Sequence, residues 1–334
     1  MSGSRARPAG GGPAGRAGAG AGSGAGWSGL LPVDKPTGVT SHDVVDHARR
    51  RLGVGAIGHL GTLDPAASGL LVLALGAATR CALVWQGGQK TYVGTARFGV
   101  VTDSQDLEGR TLARSDARPT EADVRAAATA MLGELDQVPP MVSALKHGGE
   151  RLYALARRGI TVERPARRIR VDAWRWLELA PESDARFEVT CSAGTYVRTL
   201  VHDLGTRLGC GAALASLRRT RSEPFTLEQA CAWESLDREP PAELLASAGI
   251  PLDRALETLP AVVLDEAAAA SLGLGQAPRV EPGGGPVGAG PRSVVFRDAS
   301  GRALAIGGLE RGSDGVRARP AAVFRWAVRT GRPA

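Results

Sequence analysis

The sequence predicts a mixed α/β (α+β) chain with two folded parts, and three observations predict it. Between residues 40 and 208, apolar stripes at helical spacing, opened by capping residues, are interleaved with short strand-like runs. After about residue 250 the pattern changes to short strands separated by turn residues. With 334 residues, 43% of them hydrophobic, the chain is long enough for about two domains with a core each.

Residues 1–26 are mostly Gly, Ala, Ser, Pro and Arg, with Arg5, Arg7 and Arg16 and no acid. They carry no apolar stretch of the secretory kind and little to bury, so a disordered basic tail is expected. A catalytic-sized domain is expected over residues 27–249. Thr40-Ser41-His42-Asp43 has the form of a capping box, and Val44, Val45, Ala48 and Leu52 continue it as a helix closed by Gly53. Residues 70–75 read as a buried strand. Lys90–Phe98 alternates and reads as another, with Tyr92, Ala96 and Phe98 on one face. Residues 120–132 predict a second capped helix and residues 187–192 a strand. Val197, Leu200, Val201, Leu204 and Leu208 then form a helical stripe, with Arg198 beside it rather than on it. In the last part, residues 250–334, a helix is expected over 265–272 and a Gly/Pro-rich loop over 281–291. Strands are expected over 293–297, 302–309 and 316–324, forming a small separate β-rich domain. No repeat of 20–50 residues is visible.

Composition excludes several classes. The net charge of +7 favours an anionic partner such as nucleic acid. Cys81, Cys191, Cys210 and Cys231 are far apart, with no C-x-x-C pair, so neither a zinc site nor a disulfide framework is expected. Free thiols suit a reducing, cytoplasmic setting. The longest apolar run is too short to span a bilayer. No G-K-[ST] phosphate loop occurs, and Asp103, Asp106 and Glu108 lack the spacing of a calcium loop, so neither cofactor nor metal is expected. Lys occurs only at Lys35, Lys90 and Lys146, Tyr only at Tyr92, Tyr153 and Tyr196, and Asn not at all. Where a coding bias thins a residue type this far, the survivors become candidates for function.

The strongest local candidate is Asp64, in Gly58-His59-Leu60-Gly61-Thr62-Leu63-Asp64-Pro65. Pro65 drives Asp64 out of the helical region, and the glycines permit tight turns and close approach of a ligand. A carboxylate on such a loop can serve as nucleophile or base, or can simply order a turn.

Neighbouring segments separate these readings. Gly58 to Ser68 resembles the active-site loop of the TruB family, the bacterial-type tRNA pseudouridine-55 synthases. Six further segments resemble that family in order. They are Val33-Asp34-Lys35-Pro36-Thr37-Gly38; Lys90-Thr91-Tyr92; the turn with Thr102-Asp103; Pro139-Pro140-Met141 through Lys146 to Tyr153 and Arg157; Gly194-Thr195-Tyr196-Val197-Arg198-Thr199-Leu200; and Leu217-Arg218-Arg219. The likeness covers about residues 27–235. A PUA-type RNA-binding module is suggested less sharply by the C-terminal part.

The resemblance implies a pseudouridine synthase fold, a mixed and mainly antiparallel sheet with a central cleft, and an RNA-gripping insertion at residues 139–169. It implies isomerisation of the uridine at tRNA position 55, in the T-arm, by a chain that works as a monomer without a required protein partner; a tRNA-folding role is also compatible. Asp64 would be the reacting carboxylate, attacking either ribose C1′ or uracil C6. A carboxylate among apolar neighbours needs a cation to stay ionised, a task the resemblance gives to Arg198. Tyr92 would stack on the flipped uracil or move a proton, and Tyr196 would line the opposite wall; either could instead be a core tyrosine. His59 and Leu217 would contact the substrate, and His59 could equally be structural. Lys35 and Lys146 are expected at phosphates, although Lys35 could order its own loop. Arg167, Arg168 and Arg170 form a basic run that is either RNA-gripping or simply solvated. Leu60 and Val142 depart from the family, where a small or threonine residue and an aromatic are more usual.

Overall fold

A computed structural model describes residues 26–143, 145–180, 184–281, 293–313, 315–324 and 326–327, without the side chain of Lys146. The expected basic tail, most of the 281–291 loop and the Lys146 side chain lie outside the described residues.

One 11-stranded sheet organises the molecule. Its main path runs Cys231–Ala232, Gly29–Lys35, Ser68–Leu75, Ala212–Ser222, Lys90–Phe98, Asp184–Cys191, Arg167–Glu178 and Gly133–Gln137. Neighbours on this path are antiparallel except at two short parallel contacts, Gly29–Lys35 with Cys231–Ala232 and Ser68–Leu75 with Ala212–Ser222. The second contact is a seam. It rests on only two residue pairs, Arg218 with Ser68 and Arg219 with Gly69, whereas Ala212–Ser222 pairs with Lys90–Phe98 along nearly its whole length. The sheet is thus two half-sheets that meet at one point, and the cleft opens there.

Ser68–Leu75 is apolar throughout because both its faces are covered. Leu71, Leu73 and Leu75 join a core under the helices Ser41–Leu52, Glu121–Thr129 and Val197–Arg207. Leu70, Val72 and Ala74 face the opposite core. Thr40 and Thr120 cap the first two helices with complete capping boxes, and Gly53 ends the first in the left-handed region, as the sequence implies. Tyr92, Ala96 and Phe98 share one buried face of their strand, also as expected.

Three long strands were not anticipated: Gly29–Lys35, Arg167–Glu178 and Ala212–Ser222. The last buries Arg219 where alternation would ask for an apolar residue, and Arg167–Glu178 changes phase at a register shift between Val171 and Ala173, so periodicity misses both. Arg168 pairs with Glu134 and Asp136, and Arg170 with Asp172, which leaves this basic run mainly a solvated, ion-paired strand face.

The C-terminal sheet runs Ala261–Val263, Val294–Arg297, Ala303–Gly312 and Gly315–Val323, and Asp265 caps the helix Glu266–Gly273. This part is β-rich as expected but is less separate than the sequence suggests. Ile250 and Pro251 pair with Leu30 and Gly29, and Leu252, Leu256, Val295, Ile306 and Phe324 share one apolar core with Leu30, Leu70 and Val72. The apolar back of Ser68–Leu75 needs a cover, and this region supplies it.

Backbone geometry at the seam depends on Gly69. Its φ is +99°, and a Cβ there would lie 2.3 Å from the Arg219 carbonyl oxygen. Gly69→Ala is expected to cost about 2–4 kcal/mol of stability, read as a lowered thermal midpoint. Gly87 has open space and a φ of −80°, so Gly87→Ala is the matched comparison and should change stability by less than about 1 kcal/mol.

Candidate active site

The Asp64 loop is fixed from below. Gly61 and Thr62 give their carbonyls to the Arg219 guanidinium at 3.0 and 3.4 Å. Leu63 is held by Ser41, whose Oγ donates to the Leu63 carbonyl at 3.0 Å and accepts its N–H at 2.8 Å. The Asp64 carbonyl accepts the Ala67 N–H at 3.0 Å, and the Pro65 carbonyl accepts the Gly38 N–H at 2.8 Å. Leu60 is buried in the core behind Ser68–Leu75, which is why a large side chain stands there.

Arg198 reaches the loop from the first turn of Val197–Arg207. Its Nε donates to Asp64 Oδ2 at 2.8 Å, Nη1 to the Ser104 carbonyl at 2.7 Å, and Nη2 to the Val142 carbonyl at 2.9 Å. Asp106 adds a second carboxylate 3.6 Å from Nη1. The Arg198 side chain is 3% exposed and that of Asp64 40%, so the cation is buried while the anion faces the cleft. Among the described residues, Asp64 Oδ1 accepts no hydrogen bond. This is the geometry of an anchored carboxylate with one oxygen available for chemistry. The departure at Val142 is harmless for this purpose, because Arg198 takes its main chain and not its side chain.

Two tyrosines feel the charge of Asp64. Tyr92 is buried opposite Arg219 on the adjacent strand. Burial pushes its hydroxyl above the ordinary value, and the Arg219 guanidinium beside it pulls the other way. Tyr196 caps the Arg198 helix, and its hydroxyl is likewise raised by burial. Both rings lie within range of the Asp64 charge. Gln137 holds the Tyr196 backbone from both sides, accepting its N–H at 2.9 Å and donating to its carbonyl at 3.1 Å. Leu217 lines the cleft with Asp64, Arg198, Ala67 and Leu107.

His59 lies on the short strand Ile57–His59 with Nδ1 buried and unpartnered. Burial first, then Arg219 and His42, lower its pKa, so it is neutral at pH 7 and offers hydrogen bonds rather than charge. Lys35 departs from the phosphate expectation. It is fully buried, and its Nζ donates to the carbonyls of Pro36, Val39 and Pro65 at 2.7, 2.8 and 3.4 Å. Here the loop-ordering alternative fits: a buried ammonium satisfied by carbonyls is not at the surface that phosphates meet.

Sequence reasoning passed over Asp106, Arg219, Gln137 and Lys90 as site residues. Lys90 is buried, with Nζ on the Gln86 and Gly88 carbonyls at 3.0 and 2.9 Å, and its rarity was the one usable signal. Asp106 read as a turn residue because its nearness to Arg198 is set by tertiary packing. No group of three or more His, Cys, Asp or Glu among the described residues could hold a metal ion.

A buried arginine clamping a half-exposed aspartate, at the seam of a split, mainly antiparallel sheet, fits the class of pseudouridine synthases. Comparison with known proteins agrees. Residues 49–197 match the profile of the TruB family pseudouridylate synthase N-terminal domain, and residues 198–257 that of the tRNA pseudouridylate synthase B C-terminal domain. A tRNA pseudouridine synthase B of Symbiobacterium thermophilum is 48% identical over 75% of this chain and 83% of its own length. Its counterpart in Burkholderia pseudomallei (strain 668) is 45% identical over 86% of this chain and 94% of its own length. Among solved structures, a chain of a Cbf5–Nop10–Gar1 complex superposes with a TM-score of 0.67 at 28% identity, covering 90% of this chain and 86% of that one. The chain belongs to the TruB family of pseudouridylate synthases.

Burial lowers Lys35 from the ordinary 10.5 to about 8, with Asp64 opposing. Between those values the folded chain holds fewer protons than the unfolded one, so this group's contribution to stability rises with pH from about 8 to 10.5. The stability of wild type relative to Lys35→Met is therefore expected to increase across that window and to be level below pH 7, measured by denaturant unfolding at pH 6.5, 7, 8, 9 and 10. A level difference through pH 10 would contradict the buried ammonium.

Proposed function

We infer that this chain isomerises a uridine of transfer RNA to pseudouridine. The observation that carries the reading is the 2.8 Å pair of Arg198 and Asp64, which leaves one carboxylate oxygen free at a cleft that Leu217 also lines. The relatives at 45–48% identity are named for this reaction on tRNA.

The chemistry needs few groups. The N1–C1′ bond of the uridine breaks, the uracil turns, and C5 bonds to C1′; the C5 proton leaves and N1 gains one, so the product is an isomer. Asp64 attacks the extruded nucleotide at ribose C1′ or uracil C6 and is regenerated. Tyr92 offers an aromatic face to a base that has lost its stacking partners, and its protonated hydroxyl can give or receive a hydrogen bond. Tyr196 and Leu217 complete the walls, and neutral His59 supports the flipped nucleotide.

The finer reading is the uridine at position 55 in the T-arm, bound by a monomer in the cytoplasm. The insertion at residues 139–169 and a PUA-like C-terminal sheet would grip the RNA. None of the helices in the described residues is long and apolar enough to cross a membrane. The rival is a guide-RNA-dependent enzyme, since solved complexes with Cbf5 superpose well. The higher identity to the tRNA enzymes favours the first reading.

The test uses the full chain alone with a tRNA transcript tritiated at uracil C5. Wild type is expected to release one tritium per tRNA, and a U55C transcript none. Asp64→Asn should abolish release yet bind tRNA within about threefold of wild type. No release by wild type would sink the reading, and release that requires an added guide RNA would favour the rival. Affinity should also fall at least about tenfold between 50 and 200 mM salt, because phosphate contacts displace counterions.

A further inference from the structure

We propose that Arg219 is a positioning residue for the isomerisation, setting the Asp64 loop against Tyr92 from the seam between the two half-sheets. The proposal rests on Asp64 and Tyr92 being the groups that meet the substrate.

Three placements point to it. The Arg219 main chain pairs with Tyr92 on one side and Gly69 on the other, so it belongs to both half-sheets at their point of contact. Its guanidinium is buried, at 2% exposure, and spans from the Leu70 carbonyl at 2.8 Å to those of Gly61 and Thr62. These last two precede Asp64 by only three and two residues. The same guanidinium lies beside the Tyr92 hydroxyl. One rigid fork thus holds the carboxylate loop and adjoins the buried Tyr92. Among the described residues it forms no ion pair with a carboxylate. A buried cation satisfied only by carbonyls is an expensive way to hold a fold. The planar fork does what a neutral or single-point donor cannot, which is to fix several acceptors at set angles.

The roles separate in a binding-against-turnover comparison. Arg219→Lys keeps the charge but replaces the fork with a single ammonium. It is expected to bind tRNA within about threefold of wild type while its single-turnover tritium release falls about 100-fold, the scale of a misplacement near 1 Å. Val124→Ala, in the core under the helices and remote from the cleft, serves as a destabilised comparison, with release within about threefold of wild type below its melting temperature. If Arg219→Lys does not fold, Arg219→Gln, with near-native volume and two N–H donors, gives the same readout. Release within threefold of wild type would overturn the proposal, as would a loss of binding that matches the loss of release. A wild type without release would instead sink the enzymatic reading itself, so the two failures are distinct.

Discussion

Five consecutive carbonyls, from Gly61 to Pro65, are each taken by a donor from elsewhere in the loop or the fold. The rest of the site depends on this constraint. A loop that carries a nucleophile must sit at the surface of a cleft, where water would otherwise offer its backbone many alternatives. Each buried carbonyl left without its partner costs about 1–3 kcal/mol, so the bonded arrangement excludes most of them. Donors come from Arg219 on Ala212–Ser222, from Ser41 at the start of the first helix, and from Gly38 and Lys35 just before it. The loop is therefore registered to both half-sheets. Asp64 can project into the cleft because nothing else in its loop is free to move.

Arg198 extends that logic from position to charge. It is desolvated by the turn at Ser104 and by the segment at Val142, and its positive charge is met by Asp64 and Asp106. Removing one member of such a group leaves the others buried and uncompensated, which is the costly case for buried ions. The same residue fastens the Val142 segment to the site. Arg198 thus holds the carboxylate and the Val142 backbone together.

Much of this was legible before the structure. Capping boxes at Thr40 and Thr120 set two helices, because a cap is a local hydrogen-bond pattern written in adjacent residues. Alternation in Lys90–Phe98 put Tyr92 on the buried face for the same reason. Arg198 as the partner of Asp64 came only from family likeness, since 134 residues separate them. What escaped depends on tertiary contact. Ala212–Ser222 is the central strand, but Arg218, Arg219 and Arg221 interrupt its alternation, and only the neighbouring Gly61, Thr62, Leu70 and Asp34 make arginine acceptable there. The separateness of the C-terminal part was overread for a related reason: a sequence reveals that a strand is apolar on both faces, but not what covers the second one.

Lys35 shows how far residue type can mislead and still point to the right place. Scarce lysines in a basic chain suggested contact with phosphate, yet Lys35 and Lys90 are both buried beside Arg219, each lowered to about 8 by burial first. Three cations under one loop repel one another, and carbonyl dipoles are what make their burial tolerable. That arrangement creates a region of positive potential directly beneath the loop that bears Asp64. It favours a carboxylate at the loop's tip without touching it; there Oδ2 is held by Arg198 and Oδ1 accepts no hydrogen bond among the described residues. Fixed charges and dipoles already in place need no reorganisation when the substrate arrives. Lys35 thus orders the loop that carries Asp64, the alternative its sequence left open, and Lys90 holds the carbonyls of Gln86 and Gly88.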